Sequence, residues 1–276
     1  MPVLLQTESV ARLPTANGMS TPELAGPLMT NQEIARRVSP SRKHVWLVAA
    51  PKSGSTWLGA MLESVFGWPR VPLLDCYDRR EQEIDVRTLI QHPDVDIFTP
   101  HQHTRASHPT LGIIQQFRII PVVLVRDLFD TVISLRDHLY REHHIMPWAY
   151  FDETVYTLTQ EEQINALVDL VIPWYINFYV SWFYAEKQGY CRFLWMTYQE
   201  LKTDHEACVR RVLDFAGVSP SEEQIAEAVQ GSPRTNTRRN VGMQGRGQTQ
   251  LTDEQRHRIV QLTDYYPKVD FSRMGL

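Results

Sequence analysis

The sequence predicts an α/β fold with a central parallel sheet flanked by helices on both faces. Three observations carry this. Strand-length apolar runs alternate with amphipathic segments of helical period through most of the chain. The clearest run, Ile119-Ile120-Pro121-Val122-Val123-Leu124-Val125, is apolar at successive positions, as a strand covered on both faces must be. The first run passes directly into a short polar turn that opens a helix, and open sheets of this kind bind anions at such a turn. The chain has 276 residues, 43% of them hydrophobic, enough for one domain with a large core. The expected organisation is an N-terminal leader over 1–40, partly irregular, and a single domain over 41–276.

Met1 to Arg12 lacks the basic start and long apolar stretch of a signal peptide, and residues 13 to 30, rich in Pro, Thr and Gly, read as irregular chain. The charge balance is 28 Lys and Arg against 32 Asp and Glu, net −4, with a pI near 6.2. No broad basic face for nucleic acid follows from it. Cys76, Cys191 and Cys208 are an odd number without close spacing, which favours a reduced, cytoplasmic chain over a disulfide framework. His92, His108, His143, His144 and His205 lack the spacing of a zinc site, so no metal is expected.

The first strand, His44-Val45-Trp46-Leu47-Val48-Ala49-Ala50, leads into Pro51-Lys52-Ser53-Gly54-Ser55-Thr56-Trp57 and an amphipathic segment from Leu58 to Phe66. Strand, tight turn and helix in this order make an anion cradle. Gly54 permits the turn, Ser53, Ser55 and Thr56 offer hydroxyls and N–H groups at a helix N-terminus, and Lys52 adds a mobile positive charge. The ligand should carry phosphate. The nucleoside-triphosphate loop G-x-x-x-x-G-K-[ST] places Lys after its last glycine, whereas Lys52 precedes Gly54 by two.

Ile97-Phe98-Thr99-Pro100-His101-Gln102-His103-Thr104 reads as a short strand with its polar residues gathered at the carboxyl end, where ligands bind in open sheets. Arg126 stands at the carboxyl end of the Ile119–Val125 run. A helix follows, capped by Asp127 or Asp130, with Phe129, Val132, Ile133 and Leu135 as its apolar face and Ser134 eight residues after Arg126. Ala166 to Ala185, interrupted by Asp169, Pro173 and Asn177, reads as a buried, kinked helix on the sheet and not as a membrane span. Cys191 to Met196 reads as a further strand. Thr197-Tyr198-Gln199-Glu200-Leu201 follows it, then a helix around Cys208 to Ala216.

The loop at 51–57 and the Arg126…Ser134 pair resemble the sulfotransferase superfamily, enzymes that move a sulfuryl group from 3′-phosphoadenosine 5′-phosphosulfate (PAPS) to a hydroxyl or amine. The resemblance covers residues 44 to 265 and implies a P-loop NTPase-like three-layer architecture, with PAPS as co-substrate and no metal. It implies that Lys52, Ser53, Gly54, Ser55 and Thr56 hold the 5′-phosphosulfate and that Trp57 stacks on adenine. Arg126 and Ser134 would hold the 3′-phosphate, and Tyr198 would touch the nucleotide. It also implies a catalytic base at the end of the second strand. His titrates near ~6.5 and suits that task. His103 shares a face with His101 if the strand continues, so either could serve; register from Phe98 selects His101. Lys52 would also follow the charge of the departing bisphosphate.

A closing loop is expected near the C-terminus, where Arg238, Arg239, Gly242 and Gly245 offer arginines before a G-x-x-G spacing, without the family's Arg-Lys order or its Trp. The residues from 67 to 87 and 139 to 158, including Trp68, Tyr77, Trp148, Tyr150, Phe151 and Tyr156, would line the acceptor pocket. They leave a small molecule, a glycan or a lipid open as acceptor. A P-loop kinase, requiring magnesium and a triphosphate, and a catalytically silent nucleotide-binding protein are the alternatives.

Overall fold

The computed structural model describes residues 30–73, 83–141, 149–231 and 245–276. In chain order the elements are α1 (Asn31–Ala35), β1 (His44–Ala49), α2 (Ser55–Phe66), β2 (Ile97–Gln102), α3 (His108–Phe117), β3 (Ile119–Val125), α4 (Leu128–Arg141), α5 (Gln160–Leu170) and α6 (Ile172–Lys187). Then come β4 (Leu194–Thr197), α7 (Tyr198–Thr203), α8 (His205–Ala216), α9 (Glu222–Gly231), α10 (Arg246–Gln250) and α11 (Asp253–Gln261). The four strands form one sheet in the order β2-β1-β3-β4, every neighbouring pair parallel.

Alternation along β1 builds the two sides of the molecule, since successive side chains leave a strand on opposite faces. Trp46 and Val48 join one core with residues of α3, α4, α5 and α6. Val45, Leu47 and Ala49 join the other with α2, α8 and α9. The expected three-layer α/β arrangement follows directly. All six residues of β1 are buried, so the chain entering the 51–54 turn is held from both faces. Trp46, fully buried, meets Trp182 of α6 edge to face with ring centroids 6.3 Å apart, a geometry worth about 1 kcal/mol beyond the area it buries.

Several boundaries differ from the sequence expectation. The helix expected from Leu58 begins at Ser55, because the polar residues of the turn already form its first turn. The second strand stops at Gln102 instead of Thr104, and its pairing with β1 slips between Trp46↔Thr99 and Val48↔Gln102. The last strand is Leu194–Thr197, three residues later than its apolar run began. The apolar stretch from Ala166 to Ala185 is two helices with the break at Val171, two residues before Pro173, as a proline that cannot donate its N–H requires. Residues 160–187 are long and apolar enough to cross a membrane. Here Trp174, Tyr175, Phe178, Tyr179, Trp182 and Phe183 are buried in the core on the sheet.

The outer edge of β2 is covered by the chain between α2 and the residues after it. Phe98 N donates to Pro69 O (3.1 Å), and Val71 N donates to Phe98 O (2.9 Å).

Candidate active site

The turn between β1 and α2 has the left-handed backbone that a cradle needs. Gly54 sits at φ +91°, and Lys52, which has a side chain, at φ +62°, a conformation that costs a non-glycine residue roughly 1–2 kcal/mol. Gly54 is also the N-cap of α2 and supplies no side-chain cap, so the positive end of a twelve-residue helix is left uncapped toward the turn. Two buried groups hold the turn from below. Ser53, fully buried, donates its hydroxyl to Ala50 O (2.5 Å). Tyr175 of α6 donates its hydroxyl to Pro51 O (3.1 Å), and burial holds its phenol well above the ordinary range. The Ser53 hydroxyl is thus turned inward, and its backbone N–H donates to the same Ala50 carbonyl (3.3 Å).

Arg126 lies at the carboxyl end of the adjacent β3, 8% exposed. Its Nη1 donates to Lys52 O (3.1 Å), its Nη2 is 3.7 Å from Asp130, and its guanidinium carbon stands 4.4 Å from the centre of the Tyr198 ring. Nε is buried without a hydrogen-bond partner among the described residues, a donor that costs free energy until an acceptor arrives. The cradle and Arg126, read separately in the sequence, are therefore one hydrogen-bonded unit. Tyr198, first residue of α7, also covers Gly54: a Cβ there would lie 2.8 Å from Tyr198 Cδ2. Ser134 is buried on α4, one turn beyond Asp130 and so on the same face.

Of the two expected caps for α4, Asp127 performs the task, accepting from Asp130 N (2.9 Å). Asp130 is turned elsewhere: Oδ2 accepts from Gly245 N (3.0 Å) and Oδ1 from Gly247 N (2.9 Å). Next to them Arg246 donates to Asp137 (2.6 Å). The sequence reading missed both Asp130's role and Tyr175's, because each partner is more than a hundred residues away. Arg238, Arg239 and Gly242 lie outside the described residues.

At the end of β2, the rings of His101 and His103 are 5.8 Å apart. His103 Nδ1 is 2.7 Å from Ala49 O; a carbonyl only accepts, so Nδ1 carries the proton and Nε2 is the basic nitrogen of the neutral ring. β2 ends at Gln102, short of His103, so the strand continuation that would put both imidazoles on one face is not present. Between them Gln102 is buried at 1% exposure, with neither amide atom partnered among the described residues.

Trp57 is half-buried at the start of α2 and lies beside His205, ring centroids 5.2 Å apart. Of the aromatic residues expected along an acceptor pocket, four are among the described residues. Trp68 stacks on Phe66 (4.4 Å), Phe151 is in the core, Tyr156 donates to Leu139 O (3.0 Å) and Tyr150 is exposed. Tyr77 and Trp148 lie outside the described residues.

The family model of the sulfotransferase domain matches residues 42–261. The chain belongs to the sulfotransferase family. It is accordingly an enzyme of the sulfotransferase type, and the match begins just before β1 and ends with α11. Solved sulfotransferases share the fold at low identity. Mouse sulfotransferase SULT7A1, complexed with PAP, superposes with TM-score 0.62 at 17% identity, over 87% of this chain and 90% of that one. Retinol dehydratase in complex with androsterone and the inactive cofactor PAP gives TM-score 0.54 at 13% identity, over 82% and 81%. The same enzyme with retinol and PAP gives 0.52 at 14%, over 84% and 83%. No curated protein matches the chain in sequence.

Proposed function

We propose that this sulfotransferase moves the sulfuryl group of PAPS onto a hydroxyl of a small molecule. The observation that carries the reading is Arg126 Nη1 on Lys52 O at 3.1 Å, which puts a planar cationic fork with a spare buried Nε against an uncapped helix N-terminus. The backbone of 54–56 at that N-terminus holds the 5′-phosphosulfate, and Arg126 with Ser134 holds the 3′-phosphate, which distinguishes the donor from nucleotides lacking it. Trp57 offers its indole to adenine, and the Tyr198 ring gives Arg126 a cation–π partner at 4.4 Å.

The base comes from the imidazole pair. His103, oriented through Nδ1 by the Ala49 carbonyl, takes the acceptor proton at Nε2, with His101 alongside. His101, selected in the sequence by register from Phe98 and by the family resemblance, is the alternative base. Lys52 stabilises the negative charge that develops on the departing bisphosphate. PAP in the matched folds supports the donor, and androsterone and retinol in retinol dehydratase support a small alcohol as acceptor.

Calorimetric titration with adenosine 3′,5′-bisphosphate against ADP, without magnesium, tests the donor site. A preference for the bisphosphate of roughly a hundredfold is expected from one charged, forked contact. Equal affinities would overturn the reading. Turnover of labelled PAPS with a panel of small alcohols and phenols then tests the transfer.

A further inference from the structure

We propose that Asp130 is a positioning residue for the 3′-phosphate, aiming the Arg126 fork while it holds the chain at Gly245–Gly247; the inference rests on the donor reading above. Asp130 is 5% exposed, and burying a carboxylate to that degree needs compensation by donors or charge. It receives both. One oxygen accepts from Gly245 N and the other from Gly247 N, while Arg126 Nη2 stands 3.7 Å from Oδ2. The two amides occupy the carboxylate's hydrogen bonds. At 3.7 Å, Arg126 is balanced in charge but not consumed as a donor, and it keeps N–H groups for an incoming anion.

The amide side cannot drift. Gly247 is buried against Phe129, whose backbone a Cβ at 247 would run into, and Arg246 is paired with Asp137 on the same α4 helix. Asp130 is thus fixed from the 245–247 side, and Arg126 is fixed between Asp130, Lys52 O and the Tyr198 ring. Without the carboxylate, the guanidinium loses the acidic partner beside Nη2, and its fork is held by a single carbonyl and a ring. In Asp130→Asn the amide nitrogen must face either a glycine N–H or the guanidinium, donor against donor.

The test is the affinity ratio for adenosine 3′,5′-bisphosphate over ADP in the wild type and in Asp130→Asn, with near-UV circular dichroism to check the fold. The expected result is a loss of roughly tenfold or more for the bisphosphate, with ADP changed far less. If Asp130 only ties α10 to α4, the melting temperature falls while the ratio is unchanged, and the inference is overturned. It is equally overturned if both nucleotides bind more tightly, since Asp130 would then be only a repelling charge. A wild type without preference for the bisphosphate removes the donor reading, and this inference with it; a preference retained in the variant removes the inference alone. Should Asp130→Asn fail to fold, Asp130→Ser, smaller and still an acceptor, is read against the same outcomes.

Discussion

The guanidinium of Arg126 donates to the backbone carbonyl of Lys52 across 3.1 Å, joining two sites 74 residues apart into one anion-binding surface. Arg126→Lys keeps the charge and loses the fork that reaches both Lys52 O and an incoming phosphate. It is expected to weaken adenosine 3′,5′-bisphosphate by about tenfold to a hundredfold, the equivalent of 1.5–3 kcal/mol for a charged hydrogen bond, with a smaller effect on ADP. Calorimetry reads both; equal losses for the two nucleotides would detach Arg126 from the 3′-phosphate.

Gly54→Ala should be among the costlier single changes in the chain. It demands a left-handed alanine, worth roughly 1–2 kcal/mol, and brings its Cβ to 2.8 Å from Tyr198 Cδ2. In a Tyr198→Ala background the contact part of that cost disappears and the backbone part remains. A double-mutant cycle on chemical denaturation measures the difference; strict additivity would mean that the ring does not press on the glycine.

For the histidine pair, His103→Ala is expected to reduce the turnover of PAPS by about 10²–10⁴-fold, the usual contribution of a general base, with bisphosphate affinity nearly unchanged. His101→Ala should fall well short of that loss. The opposite order would return the base to His101.

His44 provides a pH dependence unconnected to catalysis. It is fully buried, with Nε2 2.7 Å from Thr99 Oγ1, and burial, helped by the charge of Arg42, pushes its imidazole down to about 3. The unfolded chain therefore takes up this proton near ~6.5 while the folded chain does not. Stability due to His44 is complete above ~6.5 and declines by about 1.4 kcal/mol per pH unit as pH falls toward 3. Urea midpoints between pH 7 and 4 should fall more steeply for the wild type than for His44→Leu. Parallel curves would show that the ring is protonated in the folded state.

The parts of this enzyme legible in its sequence are those whose physics is local. The turn from Pro51 to Trp57 announces itself because glycine, hydroxyls and lysine lie within seven residues, and Arg126 because it ends an unbroken apolar strand. What escaped depends on distant chain. Asp130 looked like one of two helix caps until Gly245 and Gly247 came to it, and Tyr175 looked like one more core aromatic until its hydroxyl met Pro51. The irregularity in β2 was hidden for a related reason: the alternation of Phe98, Pro100 and Gln102 is readable, but the partner strand sets where the register slips.

The position of β1 in the sheet also bears on how the protein is made. Both strands that flank it, β2 and β3, come later in the chain, so a nascent polypeptide has nothing with which to pair β1 until residue 102 has left the ribosome, and its second flank stays open until residue 125. The cradle that follows β1 is for that reason acquired only after the later strands have been made. An emerging chain that ends before residue 102 presents an unpaired apolar strand to its surroundings, and a chaperone that recognises extended hydrophobic segments would meet its client there.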